Sequence, residues 1–183
     1  RSPAELLWVP EDSAWNSLRG SLLNLSYGFG KIYVVPHEKV DGQVQGGMCE
    51  LPFKQFPTGV MRGRFHPVDG QLYACGMFAW AGNQRQAGGF YRIRSTGKPA
   101  HVPVGLTTAP RTVTVEFSDP VEKESSENTG AWTIEAWDLK RTRNYGSRHY
   151  NQRRWKVSKA TLSDDGRSVE LTVPELGPTW GMS

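Results

Sequence analysis

Residues 80–94 hold a dense group of side chains suited to binding a polar ligand: Trp80, Asn83, Gln84, Arg85, Arg92 and Arg94. Planar amides and guanidinium groups hydrogen-bond hydroxyls and anions, and an indole offers an apolar face for a sugar ring. The first four fall in the polar loop from Trp80 to Gly89, which contains Gly82 and ends on Gly88-Gly89, whereas Arg92 and Arg94 stand in the run Phe90-Tyr91-Arg92-Ile93-Arg94. At spacing i, i+2 in a strand, both arginines project from one sheet face, where an anionic cofactor or substrate would meet them together. The same residues also read as a structural turn followed by a solvated, salt-bridged strand face. Both readings stay open at this level.

A second group is basic. Between Lys140 and Lys159 the chain carries Arg141, Arg143, Arg148, Arg153 and Arg154, with no acidic residue following Asp138 in that stretch, and Tyr145, Tyr150 and Trp155 interleave them. Cations mixed with aromatics suit phosphates and bases, acidic polysaccharides, or the acidic rim of a neighbouring domain. A plain solvated loop has the same composition. Nucleic acid has the least support, because no recognised binding motif accompanies the charge.

Several chemistries lack their signatures. His37, His66, His101 and His149 show no i, i+2 or i, i+4 ligand spacing, so no metal site is expected from this chain alone. Asp164-Asp165-Gly166 lacks the remaining ligands of a calcium loop and reads as a hairpin turn. No Cys-x-x-Cys-His motif for haem attachment, no Gly-rich phosphate loop and no nucleophilic triad can be read from the spacing. Cys49 and Cys75 fit one disulfide or two buried thiols, and spacing alone does not choose.

The elements that position these groups are strands. The chain has 183 residues, 20 Gly, 12 Pro and seven Trp, with a formal charge of +4. Gly and Pro at this frequency punctuate turns, and aromatic and β-branched residues fill the stretches between them. No window holds a 3.6-residue apolar period, and no apolar run approaches the length of a membrane span. Hairpins are predicted where residues 21–27 and 31–35 flank Gly28-Phe29-Gly30, and where residues 61–66 and 71–78 flank an Asp69-Gly70 turn. A further hairpin is predicted where residues 155–162 and 168–173 flank Asp165-Gly166. Residues 90–94 form the next strand after 71–78, and residues 101–104 are expected as a fourth, outer one. Four short strands at this spacing suit one propeller blade of roughly 40 to 45 residues. The texture changes near Gly105, after which short alternating runs suggest a small sandwich.

Three stretches carry a family resemblance. The run from Gly63-Arg64-Phe65-His66-Pro67 through Asp69-Gly70-Gln71-Leu72-Tyr73, continued by Gly88-Gly89-Phe90-Tyr91-Arg92, resembles the last blade of propellers similar to pyrroloquinoline-quinone (PQQ)-dependent sugar dehydrogenases. Lys140-Arg141-Thr142-Arg143-Asn144-Tyr145-Gly146-Ser147 is similar to a loop of the Ig-like module that follows such propellers. The resemblance implies an all-β chain with the final propeller blades in residues 1–104 and an Ig-like sandwich lacking its last strand in residues 105–183. It implies a piece of a large periplasmic or extracellular bacterial oxidoreductase acting on sugars or alcohols, whose partners are upstream blades and a cytochrome c domain. PQQ and c-type haem would be bound elsewhere in such a parent, not by this segment alone. The alternative is a non-catalytic module that binds a glycan or a partner protein.

Overall fold

Chains rich in β-branched and aromatic residues between frequent turns pair their strands antiparallel, and this one does so throughout. The computed structural model describes residues 2–78 and 85–183. The chain forms two compact units, Arg1–Leu106 with Phe117–Asp119, and Thr107–Glu116 with Pro120–Ser183.

In the first unit, β1 (Pro3–Trp8), β2 (Leu22–Ser26), β3 (Lys31–Val34), β4 (His37–Val40), β5 (Gln43–Gly46) and β6 (Cys49–Glu50) come first. They are followed by β7 (Arg62–Phe65), β8 (Leu72–Met77) and β9 (Gly88–Ile93). One sheet has the order β1-β2-β3-β6, a second has the order β7-β8-β9, and β4 and β5 make a separate hairpin. Period-two alternation sends Leu23, Leu25, Ile32 and Val34 from the first sheet, and Leu72 and Ala74 from the second, into one core with Val9, Trp15 and Val60. Gly63 of β7 marks the close approach of the two sheets, since a β-carbon there would lie 3.0 Å from Leu25 Cδ1 and 3.1 Å from Leu72 Cδ1.

The β7–β8 hairpin closes on the turn that the sequence indicated. His66 N donates to Gln71 O at 2.9 Å, and Gly70 N donates to His66 O at 2.8 Å. Gly70 has φ +63°, a left-handed conformation that favours glycine, and a β-carbon there would stand 2.6 Å from Ala14 N. The hairpin tip therefore sits tight against residues 13–14, where Ala14 N donates to Gly70 O at 3.0 Å.

The second unit contains the end of β10 (Pro103–Ala109) from Thr107 onward, most of β11 (Thr112–Phe117), a single helical turn α1 (Lys123–Ser126), β12 (Ile134–Asp138), β13 (Tyr150–Trp155), β14 (Lys159–Leu162), β15 (Ser168–Thr172) and β16 (Gly181–Met182). Its sheets have the orders β10-β11-β15-β14 and β13-β12-β16. Each buries one face, Val113, Ala160, Val169 and Leu171 in one, and Ile134, Ala136 and Trp155 in the other.

The structure differs from the sequence expectations in four places. Residues 101–104 do not add a fourth strand to β7–β9; Pro103 begins β10, which lies beside β11. Just before it, Ala100 N donates to Asp119 Oδ2 at 2.8 Å and Val102 N donates to Ser118 Oγ at 3.1 Å, so this backbone is bound to residues 118–119 rather than to β9. The run 155–162 is not one strand: β13 pairs with β12, and β14 pairs with β15. Residues 156–158 carry the chain from one sheet to the other, with Val157 buried. The β4–β5 hairpin, which turns at Asp41-Gly42, has four paired residues on each side and is not among the hairpins predicted above. Gly181 and Met182 pair with Trp137 and Ala136, so β12 gains a partner that the sequence did not suggest.

Candidate functional site

The register of the β7–β9 sheet decides which side chains share its outer face. Arg64 pairs with Tyr73 and Tyr73 with Arg92, which makes one row; Arg62 pairs with Cys75 and Cys75 with Phe90, which makes the next. The inner face takes Leu72 and Ala74, so alternation sends these two rows outward. The result is a groove of about 640 Å³ with Arg62, Arg64, His66, Tyr73, Cys75 and Phe90 among its lining residues. Phe90 is 73% exposed, an unusual state for so large an apolar side chain in a strand. Its ring centroid lies 5.9 Å from that of Tyr73 with the planes tilted by 37°, so the two rings make one continuous apolar platform.

The polar end of the groove is organised by Asp69. Its Oδ1 accepts from Gln71 N at 3.0 Å, and its Oδ2 accepts from Tyr73 Oη at 2.9 Å and from Arg92 Nη2 at 2.8 Å. His66 Nδ1 stands 3.5 Å from Oδ1. The Gln71 amide, followed by Tyr73, Arg92 and His66, holds the Asp69 carboxyl below the usual carboxylate range. The same bond to Asp69 pushes the Tyr73 phenol up, so Tyr73 stays a neutral donor. Arg92 also lies over the Tyr73 ring, 5.8 Å from its centroid.

Arginines at the other end are partly committed. Arg62 Nη1 donates to Ala4 O at 3.1 Å and to Met61 O at 2.9 Å. Arg64 Nη1 donates to Glu5 Oε1 at 2.6 Å, while Glu5 Oε2 accepts from Gly63 N at 2.7 Å. The Nη2 and Nε groups of both arginines have no partner among the described residues. Arg62, Arg64 and Arg92 face two carboxylates, Glu5 and Asp69, so the guanidinium groups outnumber the carboxylates by one.

Of the residues singled out in sequence, Arg92 joins this network through Asp69 and Tyr73. Arg94 follows the last residue of β9 and lines a different pocket, of about 260 Å³, with Trp15, Leu51, Phe53 and Lys98. Arg85 is exposed, and its backbone N donates to Pro57 O at 2.8 Å. Trp80, Asn83 and Gln84 lie outside the described residues. Sequence reasoning missed Arg62, Arg64, His66, Tyr73 and Phe90 as a set. The available signal was their period-two spacing on either side of the Asp69-Gly70 turn, but only the register places them on one face.

In the second unit the basic stretch divides into two kinds of residue. Arg153 pairs with Asp138 at 3.4 Å and Arg154 with Glu135 at 2.7 Å, so these two are matched by carboxylates across β12–β13. Asn151, followed by Arg153 and Lys140, holds the Asp138 carboxyl below the usual range. Arg141, Arg143 and Arg148 are exposed in the loop between β12 and β13 and make no ion pair among the described residues, and Tyr145 is exposed beside them. The base of that loop is held by Trp137 stacked on His149, with centroids 4.1 Å apart and planes at 9°, and by Lys140 over the Tyr150 ring.

Cys49 and Cys75 are both free thiols. Neither alternative for the pair holds: they form no disulfide, and Cys75 is exposed on the outer face of β8 rather than buried. Burial, with Glu50 second, pushes the Cys49 thiol up. No protein-family model, no curated protein and no solved structure matches this chain.

Proposed function

We propose that this chain is part of an exported, periplasmic or extracellular oxidoreductase of the quinoprotein type that acts on sugars or alcohols, in which it supplies framework and presents binding surfaces. In this reading residues 1–104 are terminal blades of a propeller, residues 105–183 an Ig-like sandwich, and PQQ and a cytochrome c haem belong to other parts of the parent. The observation that carries it is the stacking of two short antiparallel sheets on one core, with a cation–aromatic groove on the outer face of the second. Stacked short sheets are the unit from which propellers are built, and aromatic rings beside guanidinium groups are what a carbohydrate surface requires. The test is a dye-linked sugar oxidation assay on the longest natural form of the protein, with and without added PQQ, together with a haem stain. PQQ-dependent dye reduction is the expected result; a quinone-free and haem-free protein inert to sugars and alcohols would reject the oxidoreductase reading.

A second reading is favoured by one specific observation. Phe90 is exposed in a groove where Asp69 orders Tyr73, Glu5 orders Arg64 and Ala4 O orders Arg62, with no partner needed to arrange them. That is the condition of a preformed binding surface. On this reading the chain is a non-catalytic module for a glycan or a protein partner. Sugar binding without turnover in the same preparation distinguishes it from the first.

A further inference from the structure

We infer that the β7–β9 groove is a binding site for an acidic sugar, one whose pyranose ring carries a carboxylate. This rests on the carbohydrate reading of the groove and goes beyond it by naming the charge of the ligand and the residues that select it. The platform accounts for the ring: Tyr73 and Phe90 form a one-sided apolar surface, and a pyranose presents its axial C–H bonds on one face. A planar aromatic ligand would gain most from a slot closed on two sides, and this surface is open above.

The guanidinium groups account for the acid. Arg64 stands in the same cross-strand row as Tyr73, and Arg62 in the same row as Phe90. Each spends Nη1 on protein oxygens and keeps Nη2 and Nε unpartnered among the described residues. A guanidinium edge with two parallel N–H groups fits a carboxylate in the bidentate fashion. Their other contacts hold both groups in place: Glu5 fixes Arg64, and Ala4 O fixes Arg62, so little side-chain freedom is left to lose on binding. Asp69 would repel an anion, but it lies at the far end and is already engaged by Gln71, Tyr73 and Arg92. The unspent positive charge is therefore at the Arg62–Arg64 end.

The experiment is a titration of the 183-residue chain with D-galacturonate and digalacturonate, with D-galactose and sodium acetate as the two controls, followed by calorimetry and by the intrinsic fluorescence. The expected result is binding of the uronates at least about tenfold tighter than galactose, weakened by raising sodium chloride as exposed charge contacts are, with acetate alone weaker than either uronate. Phe90→Ala is expected to weaken uronate and galactose alike and Phe90→Tyr to restore both, while Arg62→Gln with Arg64→Gln removes the preference for the acid. Phe90 is exposed, so its variants leave the core intact, and the melting temperature of the arginine variants checks theirs. Equal binding of galactose and galacturonate would overturn the selectivity and leave the carbohydrate reading standing. No binding of any sugar would overturn both, and binding of acetate as tight as galacturonate would make the groove a plain anion site.

Discussion

Gly76→Ala probes the inner packing on which the groove depends, and Gly63→Ala is its control. Neither glycine has a positive φ, so alanine meets no backbone strain at either position. Both sit in strands of the same sheet, and replacing glycine by alanine stabilises by roughly 0.5–1 kcal/mol through the unfolded chain alone. The difference lies in what the new methyl meets. At Gly76 it would enter the space of the Gly59 carbonyl oxygen and stand 2.7 Å from Thr58 Oγ1. That segment has nowhere to retreat: Thr58 is fully buried, Gly59 N donates to Met77 O at 2.9 Å, and Thr58 Oγ1 lies 2.8 Å from Tyr91 Oη. Overpacking against pinned backbone costs about 3 kcal/mol, and loss of the Gly59 bond adds about 1 kcal/mol. The net expectation is a loss of about 3 kcal/mol. At Gly63 the methyl meets the ends of Leu25 and Leu72 at 3.0 and 3.1 Å and the Tyr73 carbonyl oxygen at an ordinary 3.5 Å, so the two side chains need give by only a few tenths of an ångström and the cost of about 1 kcal/mol is nearly offset. Urea unfolding followed by tryptophan fluorescence, fitted for the two units separately, measures both. With m of roughly 1–3 kcal/mol/M, Gly76→Ala lowers the first unit's midpoint by about 1 M or more. A Gly76→Ala variant within about 0.5 kcal/mol of the parent, or a Gly63→Ala variant equally damaged, refutes the packing described for this sheet.

Thr58→Val keeps the volume and removes the hydroxyl that partners Tyr91, so it should cost about 1–2 kcal/mol, and Tyr91→Phe in the same background should recover part of that loss in a double-mutant cycle. Brief alkylation with N-ethylmaleimide at pH 8, read by peptide mass spectrometry, should label exposed Cys75 before Cys49, whose thiol burial pushes up; equal labelling would contradict the burial of Cys49. Asp69 has a depressed folded-state pKa, so its contribution is present above the unfolded value of about 3.9 and is lost as pH falls through the lower folded value. Acid unfolding of the first unit should therefore steepen below about pH 4, and Asp69→Asn should flatten that part of the profile; an unchanged profile would remove Asp69 from the hairpin's support.

The amino-acid sequence by itself determined the strand character and the hairpins that turn at Gly28-Phe29-Gly30, Asp69-Gly70 and Asp165-Gly166. These are local properties: alternation over a few residues, and a turn such as Asp69-Gly70 that only certain residues adopt. It also singled out Arg92, because two arginines at i, i+2 in a strand must face one way while the strand lasts. Only the tertiary structure decided that Arg94 leaves the strand's face for another pocket, since alternation ends where β9 ends at Ile93. It alone decided that residues 155–162 serve two sheets, because alternating side chains look the same whichever partner strand their backbone finds. The groove belongs to this second kind of information. Arg64, Tyr73 and Arg92 become neighbours through strand register, and Arg64 is fixed by Glu5 from the start of the chain. No spacing in sequence encodes a contact of that range; it exists only when the two sheets have packed on their common core.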